Sequence, residues 1–275
     1  MKPLALVVEN DGGTRKLLDA VLSRAGFDVD LVSGSAGAVL LLGIIDYDII
    51  LLDLLFPGGS GEDVLRWLAE YRPAAVPKVV VMSSAPDHII ENVRRQWSDV
   101  RTLRKPFDLA DIFGFAESAA RPRPRAVTRA EKFCRRSICA GAKAGVVVRR
   151  HDDFVDLVTS YGYAPGVAES WYPAPLSSAM PICAAMRNAR PVWLASLTLA
   201  QPEYPLLVPV WEQYQSRAFA AVPLLRDGIV IGAAGWSFRE PRLFNEAEQR
   251  SFTAIADLAA DMIEPGEQSA ANAGA

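Results

Sequence analysis

At 275 residues the chain is long enough for two domains of ordinary size. With 51% hydrophobic and 22% charged residues it buries real cores, and a net charge of -3 gives no general reason to expect nucleic acid or an anionic membrane as partner. Three cysteines, Cys134, Cys139 and Cys183, suit a reducing cytoplasm better than a disulfide framework, and no uncharged apolar stretch reaches the ~18 residues of a membrane helix. A cytoplasmic protein that meets neither nucleic acid nor membrane is expected.

In chain order, Leu4 to Val8 reads as a strand ending in Glu9-Asn10-Asp11, and Thr14 to Ala25 as a helix stopped by Gly26. Phe27 to Val32 is a second strand and Ser35 to Ile45 a very apolar helix. The run from Asp48 to Gly59 follows, with six apolar residues in the space of seven, broken only by Asp53. That pattern is a strand covered on both faces. Glu62 to Tyr71 is a helix, Lys78 to Met82 a strand ending in Ser83-Ser84, and Asp87 to Gln96 a helix. Val100 to Leu103 is a strand leading to Lys105-Pro106, and Leu109 to Ala119 a closing helix. Strand and helix alternate through this half, which demands parallel strands with right-handed crossovers.

The strand ends gather the chemistry. The first offers Glu9 and Asn10, the third Asp53, the fourth Ser83 and the fifth Lys105. Open α/β sheets keep their ligand crevices at the carboxyl ends of strands. A carboxylate buried there is costly unless a cation, metal or phosphoryl group meets it. A carboxylate nucleophile, oxygen ligands for a hard cation, a hydroxyl and an ammonium together form a phosphoryl-transfer set. Taken alone, Asp53 reads equally as a helix cap or a satisfied buried acid.

VVEND, LLDLLFPGGSG, VVVMSSA and LRKPFD, in that order, resemble a response-regulator receiver domain of two-component signalling over about residues 1–120. Ser83 lies 30 residues after Asp53 and Lys105 lies 52 after it, close to the family's usual spacing. The resemblance implies a flavodoxin-like doubly wound five-stranded parallel sheet, with Asp53 as phospho-acceptor and Lys105 and Ser83 contacting the phosphoryl group. Ser84 is the rival hydroxyl should the strand shift by one. A metal set of Glu9, Asn10, Asp11 and Asp53 for Mg2+ is implied as well, with two departures. Asn10 stands where the family usually carries a second acid, so Mg2+ is expected to be held loosely unless Asp11 substitutes. Thr102 stands where the family often carries an aromatic that rotates inward on phosphorylation.

Arg121-Pro122-Arg123-Pro124-Arg125 is a semi-rigid basic linker over 121–127, read as solvated rather than as a nucleic-acid contact. Thr128 opens a helix with Glu131 three residues on, a capping box. Strands are expected at Gly145 to Arg149 and Phe154 to Ser160, and helices at Ala179 to Arg187 and Val208 to Gln215. A short strand is expected at Pro191 to Leu194, and Phe219 to Leu225 and Ile229 to Phe238 flank an Asp-Gly hairpin turn. Asn245 to Ile263 closes this half as a helix, and 265–275 reads as a disordered tail.

RPVWLAS and FAAVPLLRDGIVIGAAGWSFREPRLFNEAE resemble a GAF domain, an α+β antiparallel sheet flanked by helices, over residues 128–264. The resemblance implies a ligand-sensing or dimerising module of unknown ligand, with Trp171, Tyr172, Trp193, Trp211 and Trp236 as candidate pocket walls. The combined expectation is a non-enzymatic response regulator. A sensor histidine kinase or phosphotransfer protein is its donor, a downstream protein its target, and a second copy of the chain a further partner. Two other readings are a phosphorylation-independent small-molecule sensor with a degenerate receiver, and a GAF-type methionine sulfoxide reductase using the cysteines.

Overall fold

The structure, a computed structural model, describes residues 2–56, 59–120 and 127–263. It divides into two compact units between Val127 and Thr128. The Arg-Pro linker, save for Val127, and the tail expected over 265–275 lie outside the described residues.

The first unit runs β1 (Leu4–Val8), α1 (Gly12–Arg24), β2 (Asp28–Val32), α2 (Ser35–Ile44), β3 (Ile49–Asp53) and a short ribbon of β4 (Leu55–Phe56) and β5 (Gly59–Ser60). It continues with α3 (Gly61–Tyr71), β6 (Val79–Ser83), α4 (Asp87–Gln96), β7 (Arg101–Arg104) and α5 (Leu109–Ala119). The five long strands form one parallel sheet in the order β2-β1-β3-β6-β7, the doubly wound architecture expected. β1, β3 and β6 are buried along their whole length, which explains their unbroken apolar runs. Helix starts follow local chemistry: Asp11, Ser60 and Asp108 cap α1, α3 and α5 by accepting backbone N–H bonds. Gly61 is needed for space, because a Cβ there would lie 2.3 Å from the Asp53 carbonyl. The start of α3 therefore rests directly on the end of β3.

The second unit opens with α6 (Arg129–Cys139), then β8 (Ala144–His151), β9 (Phe154–Tyr161), β10 (Ala174–Pro175), α7 (Pro181–Asn188) and β11 (Val192–Leu194). The short helices α8 (Leu197–Ala200) and α9 (Val208–Gln213) follow, and β12 (Ala218–Arg226), β13 (Ile229–Phe238) and α10 (Glu246–Ala260) complete it. Its six strands form an antiparallel sheet in the order β10-β9-β8-β13-β12-β11. The Asp-Gly turn is present, with Asp227 and Gly228 both at positive φ. The β10 strand and α8 were not anticipated; both are too short to leave a periodic pattern.

Alternation along β13 separates two cores. Trp236 packs with Phe133 of α6 and Phe252 of α10, at ring separations of 5.9 and 5.0 Å, and donates Nε1–H to Ser137 Oγ at 2.8 Å. Gly235, its neighbour, faces Ile182 of α7, within a second core that holds Val146, Val148, Cys183, Trp211 and Phe219.

Candidate functional site

The carboxyl rim of the parallel sheet brings the predicted residues together. Asp53 is the last residue of β3 and Glu9 directly follows β1; both are buried. The Lys105 ammonium reaches between them, donating to Glu9 Oε2 at 2.6 Å and to Asp53 Oδ2 at 2.7 Å. The other two carboxylate oxygens take backbone amides: Leu55 N–H donates to Asp53 Oδ1 and Asp11 N–H to Glu9 Oε1, each at 3.1 Å. Every oxygen of the two buried acids is thus met, as burial of charge requires.

Burial by itself would push the Lys105 pKa down. The hydrogen bonds that Lys105 donates to Asp53 and then Glu9, with the charges of both, outweigh it and hold the pKa above its usual value. Two carboxylates against one ammonium leave the rim with an excess negative charge.

Ser83, the last residue of β6, is 1% exposed, and its Oγ accepts Ala85 N–H at 3.0 Å. Its carbonyl accepts Lys105 N–H at 2.9 Å, which ties the lysine backbone to the serine. Asp53 pairs in register with Met82, so Ser83 stands one residue beyond, on the adjacent strand end. Ser84 is exposed and lies past the strand, so the shift that would favour it does not occur.

Asp11 is corrected. Rather than joining Glu9 and Asp53, it caps α1: its Oδ1 accepts from Thr14 N–H at 2.7 Å and Thr14 Oγ1–H at 2.8 Å. Those bonds hold its carboxyl below the usual range. Among the described residues no three acids, cysteines or histidines converge as a metal site. The donor set at the rim is therefore two carboxylates, Glu9 and Asp53, beside the exposed amide of Asn10. These are oxygen donors of the kind a hard divalent cation takes, with one charge fewer than three acids would give.

Arg15 was not anticipated from the sequence. Its Nη1 donates to the carbonyls of Glu9 at 2.6 Å and Asn10 at 2.8 Å, pinning the loop that carries both. Only its place in the first turns of α1 hinted at this. The missing aromatic at Thr102 is replaced by a polar contact, Arg94 Nε–H to Thr102 Oγ1 at 2.8 Å.

In the second unit a cavity of about 50 Å³ lies in the α7-side core, with Tyr163, Trp171, Tyr172, Trp211, Ser216 and Ser237 on its wall. Of the five aromatics named from the sequence, Trp171, Tyr172 and Trp211 lie on this wall. Trp236 and Trp193 do not: Trp236 points to the opposite face of the sheet, and Trp193 packs on Phe244 at 5.3 Å. Burial pushes the Cys134 and Cys183 thiols up to about 12 and about 11, so neither is a thiolate near neutral pH, and they lie in different cores.

The family model of the response regulator receiver domain matches residues 5–116, and that of the GAF domain residues 130–264. The DNA-binding transcriptional regulator NtrC of Rhizobium meliloti (strain 1021) is 31% identical over 121 residues, which is 44% of this chain and 25% of that relative's length. A solved response regulator receiver protein from Pseudomonas putida is 27% identical, covering 43% of this chain and 98% of its own, with a TM-score of 0.40. The GAF domain from an Acinetobacter phosphoenolpyruvate-protein phosphotransferase is 13% identical, covering 48% of this chain and 77% of its own, with a TM-score of 0.39.

The parallel sheet with its acid–lysine rim is the unit that the receiver model matches, and the helix-flanked antiparallel sheet after it is the unit that the GAF model matches. The chain carries a response regulator receiver domain over residues 5–116 and, after it, a GAF domain over residues 130–264. Among the described residues no helix is long and apolar enough to cross a membrane.

Proposed function

We propose that Asp53 accepts a phosphoryl group from a histidine kinase or phosphotransfer protein, and that its phosphorylation state is coupled to the GAF module. The observation that carries this reading is the Lys105 ammonium held between Glu9 and Asp53 at 2.6 and 2.7 Å. An Asp53 carboxylate oxygen attacks phosphorus, the bond from phosphorus to the donor's imidazole nitrogen breaks, and that nitrogen keeps the electron pair. The product is an acyl phosphate on Asp53. Lys105, still paired with Glu9, turns its remaining donor capacity to a phosphoryl oxygen, and the Ser83 hydroxyl, whose oxygen accepts from Ala85, has its own proton free to give.

Glu9, Asp53 and the Asn10 amide are the groups that would hold Mg2+, which would offset charge at the rim. Its affinity is lowered by the neutral amide. Coupling runs through the Arg-Pro segment and the Thr128 helix, and output is by protein–protein contact. A receiver that never takes phosphate has no need of two buried acids on one lysine, so the intact rim favours phosphorylation over the degenerate-receiver reading.

Treatment of the whole chain with acetyl phosphate and Mg2+, followed by intact mass, tests this. One phosphate is expected, absent in Asp53→Asn; no adduct at millimolar Mg2+ overturns it.

A further inference from the structure

The second-unit cavity limits the chemistry of its occupant. Its wall carries no charged side chain, and aromatic rings and aliphatic groups make up most of it. Four hydroxyls reach it. Those of Tyr163 and Ser237 are bonded to each other at 2.9 Å. The other two, on Ser216 and Tyr172, make no hydrogen bond among the described residues, although Ser216 is only 4% exposed. Both line the cavity, so an acceptor atom of a ligand placed there would give them a partner. An ionised ligand would give up its hydration here with no counter-charge to meet it.

Leu207, Val210 and Trp211 close one side of the cavity, and they come from the turns Pro205–Leu207 and Val208–Gln213. Both are short, of three and six residues, and such short helices hold their shape only by packing, so this is the side of the wall taken to yield. About 50 Å³ accepts water as it stands and is smaller than the roughly 150 Å³ that admits benzene, so a ring-sized occupant enters by displacing these turns.

We propose that this cavity binds a small uncharged molecule with an apolar body and one acceptor oxygen, bonded by Ser216 and Tyr172. The proposal rests on the reading of the GAF domain as a sensory module and names the class of ligand it senses. It separates this site from nucleotide or carboxylate recognition by a cationic side chain, which the wall does not offer.

The test is a titration of the full chain with phenol and benzyl alcohol, against benzoate, benzylamine and cyclic GMP as charged comparators. Binding is read by calorimetry and by tryptophan emission, since Trp171 and Trp211 line the cavity. The two neutral probes are expected to bind saturably and the charged ones at least tenfold more weakly. Ser216→Ala and Tyr172→Phe, checked for native circular dichroism, should each weaken phenol about three- to tenfold. Leu199→Ser, at an exposed residue away from the cavity wall, should leave binding unchanged. Benzoate or cyclic GMP bound as tightly as phenol, with the same dependence on Ser216, overturns the ligand class while the sensory reading stands. Phenol binding untouched by both hydroxyl variants overturns the site. No binding by any probe overturns the proposal and withdraws this cavity as the basis of sensing.

Discussion

Lys105 is the residue on which the receiver rim balances. It neutralises one of two buried carboxylates, so its loss and the loss of an acid have opposite consequences. Lys105→Met leaves Glu9 and Asp53 facing each other without a cation and is expected to destabilise the first unit by about 2–3 kcal/mol, below the full cost for a deeply buried pair because the lysine is 22% exposed. Asp53→Asn leaves one carboxylate for one ammonium and is expected to be neutral or stabilising, as is common where function sets aside stability. Urea denaturation of the two variants checks the signs, and equal destabilisation would contradict the balance described here. Since the Lys105 pKa is raised, its contribution is intact below about pH 10 and fades only as pH climbs through the folded value. Acceptance of phosphate should show no basic limb in the neutral range that traces to this residue.

Asn10 sets the metal requirement. Asn10→Asp adds a third acid beside Glu9 and Asp53, so the Mg2+ concentration giving half-maximal labelling should fall by about tenfold or more, one added charge being worth at least ~1.4 kcal/mol at such a site. The change should also appear as a larger rise of the first unit's thermal midpoint with Mg2+. An unchanged Mg2+ requirement would place the metal determinants elsewhere.

At the scale of elements, the helix starts were legible and the sheet faces were not. Thr128 and Glu131 predicted a capping box, and both reciprocal bonds are present: Glu131 N–H to Thr128 Oγ1 at 3.1 Å and Thr128 N–H to Glu131 Oε2 at 2.7 Å. A cap is a local device, complete within four residues, so sequence suffices to find it. Thr128→Ala should cost the second unit about 1 kcal/mol, measurable as a lower denaturation midpoint with an unchanged slope. Thr128→Ser should recover most of it.

The parallel strands were legible for a related reason: burial on both faces writes an apolar run that needs no knowledge of partners. Trp236 was not. Alternation says that Trp236 and Ser237 face opposite ways, but only the packing of α6, α7 and α10 decides which way is the cavity. Tyr163, Ser216 and Ser237 were overlooked for the same reason, and Arg15 because its reach back to the carbonyls of Glu9 and Asn10 depends on a rotamer.

For the molecule as a whole, each unit has its own hydrophobic core, Val7, Leu51 and Val80 among others in the first and Val148, Ile182 and Phe219 in the second. Each therefore has what it needs to fold by itself, and coupling between them has to be demonstrated as an energy. If self-association is the shared equilibrium, linkage makes a quantitative demand. A phosphoryl analogue such as beryllofluoride that tightens dimerisation by some factor must itself bind the dimer more tightly by the same total factor. Sedimentation of the full chain with and without beryllofluoride and Mg2+ gives the first quantity, and beryllofluoride titrations at low and high chain concentration give the second. The expected change is fivefold or more, the lower end of ordinary coupling free energies of about 1 kcal/mol. Asp53→Asn should abolish both effects together, because the analogue then lacks its carboxylate. A sedimentation profile indifferent to beryllofluoride, in a chain that demonstrably binds it, would remove dimer geometry as the route and leave a heterologous protein as the reader of Asp53.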